Sequence, residues 1–120
     1  MTESSKQDRS PMITWKDFQK VDIRVGTITD VQEFPEARSP AFKLWIDFGP
    51  LGIKKSSAQI TKLYSNEELI GRQVLAVINF QKKQVANFLS EVLVLGLVAE
   101  IEDVVLVCPD RPVPNGLKLA

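Results

Sequence analysis

The chain has 120 residues, room for a single domain, with 15 basic and 15 acidic groups, 44% hydrophobic residues, no histidine and one cysteine. That charge balance excludes a polycationic tail that coats nucleic acid or an anionic membrane without discrimination. The missing histidine excludes serine–histidine triads and histidine-held metal centres. Cys108 alone can form neither an intrachain disulfide nor a multi-cysteine metal cage, and an unpaired thiol suits a reducing compartment, so a cytoplasmic location without cofactors is expected. The positive excess is central: residues 1–42 carry a net charge of −1, residues 43–83 of +4 and residues 84–120 of −3. No apolar run reaches the roughly 18 residues that span a bilayer, and residues 1–10 are polar, so neither membrane insertion nor a signal peptide is expected.

Residues 1–12 lack periodicity and read as a flexible tail before a domain over 13–120. Thr14 followed three residues later by Asp17 signals the start of a short helix with Trp15 and Phe18 on one side. From Val21 the period changes to two: Val21, Ile23 and Val25 alternate with Asp22, Arg24 and Gly26, which predicts a long strand bent near Gly26 and ended by Pro35 and Pro40. Phe42, Leu44, Ile46 and Phe48 share one face of a second strand, with Lys43, Trp45 and Asp47 on the other. The turn at residues 49–52 leads into a third strand over 53–60. Ser65 with Glu68 is a second capping box, and Gly71 stands where a helix end favours a left-handed residue. Val74, Ala76, Ile78 and Phe80 mark a fourth strand, residues 92–98 a fifth and residues 104–107 a short sixth, and Asn115–Gly116 is a tight-turn signal.

Five strands with one small helix between the third and fourth match the order of an all-β OB-fold, a Greek-key barrel. A split two-sheet sandwich is the competing architecture, and the helix position favours the barrel. Gly49 and Gly52 lack the lysine and hydroxyl of a P-loop, and Pro50 between them removes a backbone donor, which makes this a plain turn. Carboxylates gather at Glu67–Glu68, in the opening turn of a helix, and at Glu100, Glu102 and Asp103, which read as a solvated loop rather than an acid/base pair. Cys108, at a strand end before a proline and without a histidine partner, reads as a buried structural thiol. Catalysis has little to stand on, and no enzymatic activity is expected.

OB-fold barrels bind oligonucleotides on the face of strands two and three and on the loops after strands one and four. Those places hold Arg38, Lys43, Trp45, Lys54, Lys55, Ser56, Ser57, Gln59, Lys82, Lys83, Asn87, Phe88 and Ser90. Cations, amides, hydroxyls and aromatics are what phosphate neutralisation and base stacking require, so Arg38, Lys43, Lys54, Lys55, Ser57, Gln59, Lys82, Lys83, Asn87 and Ser90 are candidate RNA-binding residues. The same set also reads as a solvated lysine surface with Trp45 packed against a helix.

Residues 21–28 (VDIRVGTI), 33–38 (EFPEAR), 46–49 (IDFG), 55–61 (KSSAQIT), 90–96 (SEVLVLG) and 112–116 (PVPNG) resemble the CsaA family in order and spacing, over about residues 14–120. That family is similar in turn to the tRNA-binding domain appended to methionyl-tRNA synthetases. The resemblance implies an OB-fold homodimer in the cytoplasm, a chaperone related to protein export that binds unfolded polypeptides, preproteins and the export machinery; a structure-specific tRNA-binding protein that uses the basic face of the barrel is the alternative. Where tRNA-binding relatives carry a His-Pro-Asn-Ala-Asp-Lys-Leu stretch after strand one, this chain has Phe34-Pro35-Glu36-Ala37-Arg38-Ser39-Pro40, a more apolar loop that favours the chaperone branch. Ser90 of the Ser-Glu run that opens strand five is kept. Phe34, Phe80 and Phe88 are the candidate polypeptide-binding residues; Phe80 equally continues the core face of Val74, Ala76 and Ile78.

Overall fold

The computed structural model describes residues 10–100 and 103–120. Most of the expected tail and Glu102 lie outside the described residues. Helix α1 (Trp15–Gln19) opens with the expected capping box: the Asp17 N–H donates to Thr14 Oγ1 and the Thr14 N–H to the Asp17 carboxylate, both at 3.1 Å. Strand β1 (Ile23–Glu33) pairs antiparallel with β2 (Phe42–Asp47) through its second half and with β4 (Gln73–Val77) through its first. Strand β3 (Ile53–Ala58) adds to β2, and β7 (Leu93–Val94) adds to β4. The five-stranded order is therefore β3-β2-β1-β4-β7, with helix α2 (Asn66–Leu69) between β3 and β4. This is the nearly closed OB-fold barrel that the strand order implied.

The two outer strands meet where the chain passes residues 90–91. The Glu91 N–H donates to the Lys55 carbonyl at 2.8 Å, the Lys55 N–H to Glu91 Oε1 at 3.0 Å and the Ser57 N–H to Ser90 Oγ at 3.1 Å. Side chains thus satisfy edge donors of β3 that a ladder would otherwise pair. Inside, Ile28, Leu44, Ile46, Phe48, Leu69, Val74 and Ala76 lose all contact with solvent; Leu69 is the one side chain of α2 that enters this core.

The predicted bend sits elsewhere. The register of β1 shifts between Ile28 and Asp30, whereas Gly26 serves close packing: a Cβ there would stand 2.5 Å from Ile46 Cγ2 and 2.8 Å from the Phe48 ring. Strand β4 ends at Val77, three residues short of the expected run, because Ile78 and Asn79 turn the chain; the Asn79 amide holds the Lys20 carbonyl at 2.7 Å and accepts the Asp22 N–H at 2.9 Å. The predicted fifth strand is divided: β7 completes the barrel, and β8 (Gly96–Glu100) leaves it to form a separate hairpin with β9 (Asp103–Leu106). A further hairpin, β5 (Lys83–Val85) with β6 (Phe88–Ser90), fills the expected loop after strand four.

The C-terminal segment returns to β1. The Val25 N–H donates to the Leu117 carbonyl and the Leu119 N–H to the Ile23 carbonyl, and Arg24 reaches the Gly116 carbonyl at 2.9 Å. Asn115 Oδ1 accepts from Thr27 Oγ1 at 2.7 Å and from Gln73 Nε2 at 3.0 Å. The Pro-Val-Pro-Asn-Gly stretch is thereby a strap across β1 and β4.

Candidate ligand-binding face

Alternation along β2 and β3 sorts the candidate residues by face. Register places Lys43 opposite Ser57 and Trp45 opposite Lys55 on the outer face, while Leu44–Ser56 and Ile46–Lys54 are pairs on the inner face. Lys54 and Lys55 therefore leave the strand on opposite sides and do not form a pair for one phosphate.

On the outer face a second apolar cluster forms from Phe34, Ala41 and Phe88, with Ala37, Trp45 and Val85 packed against it. Phe34 meets Phe88 with ring centroids 5.6 Å apart, and Trp45 meets Phe88 at 5.8 Å, both edge-on. Phe34 and Phe88 are 3% and 6% exposed, so they hold the β1–β2 loop and the β5–β6 hairpin down onto the sheet. Lys43 Nζ lies 5.3 Å from the Phe34 centroid and 5.8 Å from that of Phe88, and Lys55 Nζ lies 5.2 Å from Phe88. These are cation–π distances, and they fix two cations over an aromatic floor.

Phe80 differs. With β4 ending at Val77 it escapes the core and stands 54% exposed. It borders a cleft of about 400 Å³ between the β1–β2 loop and the β5 side, which also receives Arg38, Ser57, Gln59, Lys83 and Ser90. The structure thus brings together most of the expected residues in two adjoining groups. Ser90, 9% exposed, is committed to closing the barrel through Ser57 and Ser56. Asn87 lies exposed at the hairpin tip, and Lys82 lies 3.9 Å from Glu91.

Glu91 is the residue that sequence reasoning missed. Its carboxylate accepts the Lys55 N–H and so holds the β3 edge, while it faces the exposed Lys82 at the root of the hairpin at 3.9 Å. The signal was its place directly after Ser90. Cys108 is exposed after β9 and not buried as expected; among the described residues no group of three or more His, Cys, Asp or Glu side chains could hold a metal ion, and no helix is long and apolar enough to cross a membrane.

The family described as "Putative tRNA binding domain" matches residues 23–118. The methionine–tRNA ligase of Nanoarchaeum equitans is 36% identical over 110 residues, which cover 90% of this chain but only 14% of that enzyme. The chain therefore spans about a seventh of the length of such relatives. The crystal structure of the chaperone CsaA from Bacillus anthracis is 56% identical, with a TM-score of 0.88 over 92% of this chain and all of that one. The CsaA chaperone protein from Picrophilus torridus is 54% identical, with a TM-score of 0.84 over 91% of this chain and all of that one. With the barrel, its aromatic face and the strap at residues 112–116 in place, this chain belongs to the tRNA-binding domain family and, within it, to the CsaA proteins.

Proposed function

We propose that this protein is a non-enzymatic molecular chaperone that binds unfolded polypeptides and preproteins in the cytoplasm, works with the export machinery and acts as a homodimer. The observation that carries the reading is its 56% identity, over the whole of that chain, to a protein named as a chaperone. Phe80, exposed beside the cleft, is its best-placed apolar contact, with Phe34 and Phe88 shaping the surface from beneath. The dimer is supported by apolar side chains that a lone domain leaves in water: Ile13, Trp15, Val21, Leu117 and Leu119 around α1 and the C-terminal segment, and Leu97, Val98 and Val105 on the β8–β9 hairpin.

Structured RNA, tRNA in particular, is the second reading. The family match favours it, together with Lys43 and Lys55 held over aromatic rings and Arg38, Lys82 and Lys83 exposed nearby.

Titrations of one sample against a denatured polypeptide and against tRNA, with suppression of client aggregation as the functional readout, test both. Capture of the polypeptide that persists at high salt, where exposed ionic attraction is screened, is the expected result. If tRNA is a ligand, each phosphate contact removed by changing Lys43, Lys55, Lys82 or Lys83 to Ala flattens the slope of log K against log salt by roughly 0.7 to 0.9. Binding of tRNA without any capture of denatured polypeptide would reverse the order of the two readings.

A further inference from the structure

The cleft beside Phe80 has a composition of its own. Phe80, Val85 and Leu93 give it an apolar wall, Arg38 and Lys83 bring two cations to it, and none of its lining residues is acidic. Nor does an outside carboxylate neutralise those cations: among the described residues neither Arg38 nor Lys83 has an acidic group within ion-pair distance. Glu91, the nearest acid in sequence to the cleft residues around Ser90, is occupied by the Lys55 N–H and by Lys82.

The cleft also meets main chain that has no ladder partner. The pairing of β3 with β2 ends at Phe42–Ala58, and Gln59, one step beyond, lines the cleft. On that side of β3 the Ser57 N–H is satisfied by a serine side chain rather than by a strand. Lys55 and Ser57 already carry partners on that edge, so β3 offers an incoming segment main chain only from Gln59 onward, and the side chains of the cleft must supply most of the contact.

We propose that this cleft is the seat of an extended, acidic–apolar polypeptide segment: a large apolar side chain rests on Phe80, Val85 and Leu93, and the carboxylate of a neighbouring Asp or Glu is received by Arg38 and Lys83. The proposal rests on the polypeptide-binding reading above and adds a selectivity to it. Unlike-charge matching across a surface sets specificity more than strength, so segments carrying acid next to a large side chain are chosen and lysine-rich ones are refused.

Short peptides with one central leucine, acetylated and amidated to remove their terminal charges, test this when the leucine is flanked by aspartate, by asparagine or by lysine. Fluorescence anisotropy is expected to show the aspartate peptide binding about three- to tenfold tighter than the asparagine peptide at low salt, as a pair of exposed ionic contacts gives, and the lysine peptide weakest. In an Arg38→Gln/Lys83→Gln variant, both changes being at exposed positions, the three peptides should bind alike. Phe80→Ala should weaken all three. Equal binding of the aspartate and asparagine peptides to the unaltered protein, or a preference that survives in the double variant, overturns the proposal. If the same protein still captures a urea-denatured polypeptide, the chaperone reading stands without this seat; if it captures neither, both fall. Binding of a single-stranded RNA oligonucleotide that is lost in the double variant, with no peptide bound, would give the cleft to nucleic acid and overturn the proposal as well.

Discussion

Gly26 and Ser90 show how single side chains, or their absence, set this barrel. At Gly26 the core comes so close that any Cβ overlaps Ile46 and Phe48. Gly26→Ala is therefore expected to destabilise the fold by about 1–3 kcal/mol through overpacking, read as a lower urea midpoint with an unchanged slope. Ser90→Ala removes the acceptor of the Ser57 N–H in a buried place and should cost about 1–3 kcal/mol. Glu91→Gln keeps an oxygen for the Lys55 N–H and loses only a long contact to an exposed lysine, so a change under about 1 kcal/mol is expected in the same experiment. A large loss in Glu91→Gln would mean that the charge, rather than the hydrogen bond, holds the β3 edge.

At the scale of elements, alternation and capping made five barrel strands and both helices readable, because each half-buried strand must present one apolar face and each short helix needs a cap. The β5–β6 hairpin was not readable, for two reasons. Its strands are three residues each, too short to show a period, and its turn uses Ala86 at a φ of 51° where glycine would have announced a hairpin. The apolar run over 92–98 hid a division as well, since the same side chains first complete the barrel and then leave it. Burial of Phe34 and Phe88 was hidden too, because it depends on that unseen hairpin folding back onto Trp45. The hairpin's dependence on Phe88 is measurable. Phe88→Ala should raise amide exchange over residues 83–90 about a hundredfold, corresponding to the ~3 kcal/mol of a truncated packed aromatic, while the strands around Leu44 and Val74 remain protected. Uniform loss of protection across the chain would show that the hairpin is part of the barrel's cooperative unit.

At the scale of the whole molecule, two apolar regions lie away from the aromatic face. One joins α1 to the C-terminal segment around a cavity of about 180 Å³ lined by Trp15, Phe18, Val21 and Leu119; the other is the β8–β9 hairpin. A 13.4 kDa chain is expected to scatter light as a species of about 27 kDa, twice that mass, at micromolar concentration. Placing charge in the first region with Trp15→Asp and Leu119→Asp should return it to monomer mass if that region is the contact. A monomer in the unaltered protein would remove the homodimer from the proposed function and leave the aromatic face untouched.

The strap has a temporal consequence. Arg24 and Gly116 are 92 positions apart, yet they touch, and β1 obtains part of its backbone pairing from Leu117 and Leu119. During synthesis, then, the first strand emerges long before its last partners, and β1 cannot complete its pairing until residues 115–119 have left the ribosome. Closing so long a loop is slow, which places folding in the millisecond-to-second range of domains built from distant contacts. Until then Ile23 and Val25 lack the strap's backbone partners, and the nascent chain displays an open strand edge, the kind of surface that chaperones exist to cover.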